Sequence, residues 1–192
     1  MSTLEVNTIA PISGSSDVTL GGSSKNIKFA SGTTVDFNTN TPTLTLGADM
    51  KNTPLFFANK NSSQAISDQS DTKITFPNEM IDTDNAFASD RFTVPSGKDG
   101  KYYFFAMVFY SSGADQNYNS AYLFRNGSVY TRAINRFSGT TSLSTPITAI
   151  MDLSAGDYVE VYTRQNTGSD KNVSGESQER RTFFGGYRMI GA

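Results

Sequence analysis

The side chains that carry most enzyme and metal chemistry are missing from this sequence. It has no Cys and no His. That removes thiolate nucleophiles, zinc–thiolate sites, disulfides, the commonest general base and the commonest transition-metal ligand. Catalysis would have to use a carboxylate pair, a Ser–Lys pair or a metal held on carboxylates. The carboxylates sit mostly in turns, beside Gly, Asn or Ser. The densest group is Asp82-Thr83-Asp84-Asn85. Counted as an EF-hand loop from Asp82, its Gly position holds Phe87 and its terminal Glu position holds Thr93, so that motif is absent. A looser calcium site on Asp82, Asp84 or Asp157 is the alternative to solvated turn carboxylates. Gly21-Gly22-Ser23-Ser24-Lys25 lacks P-loop spacing. Asn61, Asn126 and Asn172 each open a glycosylation pattern, which reads as chance without a secretion signal. Glu179-Arg180-Arg181 reads as a solvated strand end more readily than as a basic recognition spot. The expectation is a protein that is not an enzyme, with no catalytic residues, no metal and no cofactor.

Composition narrows the class further. The 192 residues are 18% charged and 36% apolar, with 14 Phe and 9 Tyr. Abundant aromatics with many Gly, Ser, Thr and Asn favour β-structure with many turns over a helical bundle or a disordered chain. The net charge of −2 does not favour nucleic acid or an anionic membrane. No run approaches the ~20 apolar residues of a membrane span. The start shows neither the basic residues nor the apolar stretch of a signal peptide. The chain is expected to be made in a cytoplasm and to reach the outside only as part of a particle.

The elements that would position a site fall into two regions. Residues 1–50 hold two aromatics, Phe29 and Phe37, and short alternating runs such as Leu4-Glu5-Val6, Val18-Thr19-Leu20 and Thr33-Thr34-Val35-Asp36-Phe37. Such strands are marginal without a partner surface. This N-terminal arm is either loosely ordered or a stalk that orders when chains come together. Residues 51–192 show strand candidates between turn signals, as a sandwich or barrel does. These are Phe56–Asn59, Thr72–Phe76, Arg91–Val94, Lys101–Tyr110, Ser120–Phe124, Ser128–Ala133, Thr145–Asp152, Tyr158–Arg164 and Arg180–Met189. Asn126-Gly127 predicts a type I′ hairpin. Ser154-Ala155-Gly156-Asp157 predicts a second turn.

The most telling stretch is Tyr102 to Tyr110. Strand residues alternate faces. Tyr102, Phe104, Ala106, Val108 and Tyr110 take one face; Tyr103, Phe105, Met107 and Phe109 take the other. Both faces are apolar, and a two-layer sandwich covers only one of them. The second must meet another subunit, or else a loop or third layer. Tyr102, Tyr103, Phe104, Phe105, Met107, Phe109, Phe183, Phe184 and Tyr187 are therefore the candidates for core or subunit interface.

In order along the head come Asp84, Phe87, Phe92-Thr93-Val94-Pro95, Gly100-Lys101-Tyr102-Tyr103-Phe104 and Leu123-Phe124-Arg125-Asn126-Gly127. Leu153-Ser154-Ala155-Gly156-Asp157-Tyr158-Val159 and Phe183-Phe184-Gly185-Gly186-Tyr187 follow. This series resembles the globular head of complement component 1q, within the complement 1q and tumour necrosis factor superfamily. Ser96-Gly97-Lys98-Asp99 departs from the pattern as an insert. The resemblance implies an all-β, ten-stranded jelly-roll sandwich head that forms a homotrimer, and a role in recognition through variable loops. No ligand residue of the family carries over. Collagen-like repeats, which often precede such heads in animals, are absent.

The leader Met1-Ser2-Thr3-Leu4-Glu5-Val6-Asn7-Thr8-Ile9 and Lys25-Asn26-Ile27-Lys28-Phe29 through Phe37 resemble fibre and appendage proteins of tailed bacteriophages. The resemblance implies an extended β-rich arm that docks on other virion proteins, with Leu4, Val6, Ile9 and Ile12 as docking candidates. The function expected is that of a virion structural protein, a trimeric fibre or appendage whose head attaches to a host-surface glycan or protein. A capsid decoration (cement) protein is the alternative. Polar loops from Asp115 to Ser120 and from Thr167 to Ser177 are the expected ligand contacts, with Gln116, Asn117, Tyr118 and Asn119 foremost.

Overall fold

The computed structural model describes residues 51–111, 118–136, 141–176 and 178–190. The chain divides into two units, Met1–Leu44 and Thr45–Ala192. The first of these lies outside the described residues.

The described head is all-β, and no helix occurs among its described residues. Its first strands are β1 (Leu55–Asn59), β2 (Gln64–Ile66), β3 (Thr72–Lys73), β4 (Asn78–Asp82), β5 (Phe87–Ala88) and β6 (Arg91–Thr93). The longer ones are β7 (Gly100–Tyr110), β8 (Tyr118–Arg125), β9 (Ser128–Arg136), β10 (Leu143–Leu153) and β11 (Tyr158–Asn166). β12 (Lys171–Val173) and β13 (Phe183–Arg188) close the series. All pairings are antiparallel.

Two sheets result. The first runs β2-β12-β7-β13-β1-β4, with β10 on the other side of β7. The second runs β5-β6-β11-β8-β9, with β3 also on β11. Each strand of the expected series is present, some with shifted ends. β2, β4, β5 and β12 are absent from the expected series; β2, β5 and β12 hold only two or three residues, too few to show a period.

The core lies between the inner faces of the two sheets. Alternation along β7 buries Tyr102, Phe104, Ala106, Val108 and Tyr110, all on one side. Aromatic rings dominate one end of this core. Phe56 stacks on Phe92 at 4.9 Å and meets Phe184 edge-on at 4.8 Å, which ties β1 and β13 to β6. Burying each such ring is worth roughly 1.5–3 kcal/mol. The core becomes polar toward the ends of β8 and β11. There the Tyr110 hydroxyl bonds Thr163 Oγ1 at 2.9 Å, and Gln165 Nε2 donates to the carbonyls of Ile66 and Ser169.

The two predicted turns clasp each other. Asn126 and Gly127 both have positive φ, 51° and 78°, as a type I′ hairpin requires. Asn126 Nδ2 donates to Asp157 Oδ1 at 2.7 Å, and the Tyr158 amide donates to Asn126 Oδ1 at 2.9 Å. Arg125 Nη2 reaches Asp157 Oδ2 at 2.8 Å. These bonds hold the Asp157 carboxyl below the usual carboxylate range; the Ser154 amide acts most strongly, then Asn126.

Candidate assembly and recognition surfaces

The nine aromatic and methionine candidates divide cleanly between two faces. Tyr102, Phe104 and Phe184 are fully buried and belong to the core. Tyr103, Phe105, Met107, Phe109, Phe183 and Tyr187 are half-buried on the opposite, outer face of the first sheet. Cross-strand register assembles that face. One row runs Ile81, Phe57, Gly185, Phe105 and Thr148 across β4, β1, β13, β7 and β10. The next runs Leu55, Tyr187, Tyr103 and Ile150. Phe183 pairs with Met107 alongside. Ile81 and Ile150 remain 44% and 54% exposed. An apolar patch spanning five strands of one sheet is unusual on a monomer.

Glycines shape both faces. A Cβ on Gly185 would stand 2.5 Å from Phe105 Cζ and 3.0 Å from Phe57 Cδ2. A Cβ on Gly186 would stand 2.5 Å from Phe104 Cδ1 and 2.9 Å from the Tyr103 carbonyl oxygen. Each glycine thus lets a phenylalanine ring lie down on β13, Phe105 outside and Phe104 inside.

The polar candidates fare differently. Gln116 and Asn117 lie outside the described residues, as do Leu4, Val6, Ile9 and Ile12. Tyr118 and Asn119 are not loop residues: they open β8. Asn119 is fully buried, and neither end of its amide has a partner. It faces inward with Ala121 and Leu123, so it is no exposed ligand contact. Part of the stretch from Thr167 onward is likewise strand, as β12.

The carboxylates of the calcium alternative are engaged within the turns. Asp82 accepts the amides of Ala86 and Phe87 at 2.9 and 2.8 Å. Asp84 accepts the Thr83 hydroxyl and pairs with Lys98. Asp157 is engaged as described above. No metal-holding group of acidic side chains occurs among the described residues. Arg181 pairs with Glu179 and stacks over Phe109 at 4.9 Å, so it covers part of the outer apolar face.

Sequence reading missed two features. Lys60 is 1% exposed, with Nζ bonded to the Thr75 carbonyl and hydroxyl; burial lowers its pKa, while Asp90 opposes that. The second is the outer face of the second sheet. Register there aligns Arg132 with Tyr122 and Tyr162, and Arg136 with Tyr118. Between these rows Ile134 aligns with Ser120 and Arg164. Phe124 stacks on Tyr162 beside them at 4.1 Å. Strand pairing, which no single strand reveals, makes this face.

Neither a family model nor a curated protein sequence matches the chain. Solved structures match its fold. The globular domain of zebrafish complement 1qA is similar at a TM-score of 0.50 and 19% identity, over 71% of this chain and 97% of that one. Eiger TNF from S. frugiperda is similar at 0.53 and 16%, over 72% and 93%. Murine APRIL is similar at 0.53 and 13%, over 70% and 98%. The head therefore has an all-β jelly-roll fold similar to that of these three structures.

Proposed function

We propose that this chain is a non-enzymatic structural protein whose head assembles as a homotrimer through the outer face of its first sheet. The observation that carries the reading is the aromatic patch built by Phe57, Tyr103, Phe105, Phe183 and Tyr187, in a sheet whose other face is already full. Burying such a patch around a three-fold axis, against two other copies of the chain, would drive a closed symmetric association. The head's jelly-roll fold supports three-fold assembly, as the complement 1q resemblance implies.

Residues 1–50 would anchor the trimer on a virion, with the head turned to a host-surface glycan or protein. Three linked weak sites gain avidity over one. The leader's likeness to bacteriophage appendage proteins supports this. A capsid decoration protein, with the arm laid along neighbouring sheets, is the second reading, since unpaired strands can augment a partner's sheet. Localisation on purified particles tests both. Few copies at the tail support attachment; many copies over the shell support decoration. Absence from particles overturns both.

A further inference from the structure

The second sheet neutralises its cations almost everywhere. Lys73 and Arg91 share Glu160 at 2.7 and 3.0 Å, and Arg125 is paired with Asp157. The exception is the β8–β9 strip. Arg132 and Arg136 are exposed, and neither is ion-paired with a carboxylate among the described residues. Both instead lie over tyrosine rings. Arg132 sits 5.1 Å from the Tyr122 centroid and 5.4 Å from that of Tyr118, and Arg136 sits 5.7 Å from Tyr118. Stacking of this kind fixes a guanidinium while leaving its N–H edge free to donate. Arg164, one strand over, reaches Asp71 only at 3.6 Å, and its buried Nε has no partner. Unpaired positive charge is not a by-product of a basic protein here, because the chain carries −2 overall.

We propose that this strip binds an acidic saccharide in which charged sugars alternate with neutral ones. Arg132 and Arg136 are four residues apart on one strand, about 13 Å. Each presents a fork suited to a carboxylate or sulfate. Between them stands Ile134, 48% exposed. A ligand lying across the strip meets charge, apolar surface, then charge. A phosphate chain or an acidic peptide charged at every residue would strand its middle charge over Ile134. The tyrosine faces are already occupied by guanidinium groups, so they offer no platform for stacking bases. The proposal rests on reading the head as a recognition module and gives that module a ligand class and a site.

The test uses the full chain and hyaluronan oligosaccharides, whose uronate alternates with a neutral sugar. Calorimetry at low and moderate salt is the readout, and assembly mass is measured on the same samples. Binding that weakens with salt is expected. Replacing both arginines, Arg132→Ser with Arg136→Ser, should weaken it about a hundredfold, tenfold for each lost charged contact. Lys51→Ser, exposed and outside both sheets, should leave it unchanged. No binding at low salt, or undiminished binding by the double variant, overturns the proposal. So does tighter binding of polyglutamate, of an oligonucleotide or of neutral dextran. A trimer that fails to bind rejects this site and leaves the assembly reading standing. A monomer that binds supports this site and rejects the assembly.

Discussion

Phe57 and Phe105 stack across Gly185 on the outer face of the first sheet, with ring centroids 6.2 Å apart. They come from β1 and β7, which flank β13 and do not touch through their backbones. The glycine between them is what brings the rings together. Immediately beside it, Gly186 does the same for Phe104 on the inner face. One dipeptide therefore serves two surfaces, one facing the core and one facing outward.

Charge placed on the two faces should have different consequences. Phe105→Glu is expected to leave a folded head that no longer associates, since the new carboxylate stays near solvent. Phe104→Glu puts a charge in the core and should abolish folding. The milder Phe104→Ala should cost about 3–5 kcal/mol. Circular dichroism melting together with light scattering separates the two outcomes. Identical behaviour of the two glutamate variants would mean that the faces are not distinct.

The glycines should separate in the same way. Gly186→Ala meets the Tyr103 backbone carbonyl, which cannot step aside, and is expected to lose about 1–3 kcal/mol of stability. Gly185→Ala meets only the Phe105 and Phe57 rings, which can tilt outward. It should weaken association more than it lowers the melting temperature. Urea titration at several protein concentrations checks both.

High pH should unfold the head through its buried tyrosines. Burial pushes the Tyr102 phenol up from 10.0 to about 12, and pushes Tyr110 higher still. A raised folded-state value favours the neutral phenol in the native state. That stability is complete below pH 10 and is lost progressively as pH rises toward 12. Tyr110→Phe should flatten this loss, while giving up about 1 kcal/mol at neutral pH for the Thr163 bond. Tyrosinate absorbance and melting temperature, followed from pH 8 upward, should change together.

Chelation should do nothing to the head. Asp82, Asp84 and Asp157 spend their oxygens on amides, hydroxyls and cations of the turns. The melting temperature is expected to be the same with EDTA as with added calcium. A fall of several degrees in EDTA would show that these carboxylates hold an ion.

The two-faced strand was legible in the sequence because alternation over nine residues leaves no doubt about which side chains share a face. The hairpin at Asn126-Gly127 was legible for its left-handed backbone requirement. That this hairpin would lock onto Asp157 was not, since the two turns lie far apart along the chain and meet only through the pairing of β8 with β11. Asn119 reads as a loop residue because it belongs to the polar run from Asp115 to Ser120, yet it is buried in β8 and both ends of its amide lack a partner. Arg132 and Arg136 look like ordinary solvated arginines until register sets them over Tyr122 and Tyr118. Phe57 is not among the nine core or interface candidates of the sequence; its place on the outer face follows from the phase of β1 against β13.

The central claim is that the outer aromatic face is an interface between copies of this chain. Light scattering of the purified full chain, coupled to size separation, tests it directly. The account predicts a single species of three times 20.8 kDa that persists on dilution, and a species of 20.8 kDa for Phe105→Glu with its β-structure intact. A wild-type chain that runs at 20.8 kDa and melts cooperatively would contradict it.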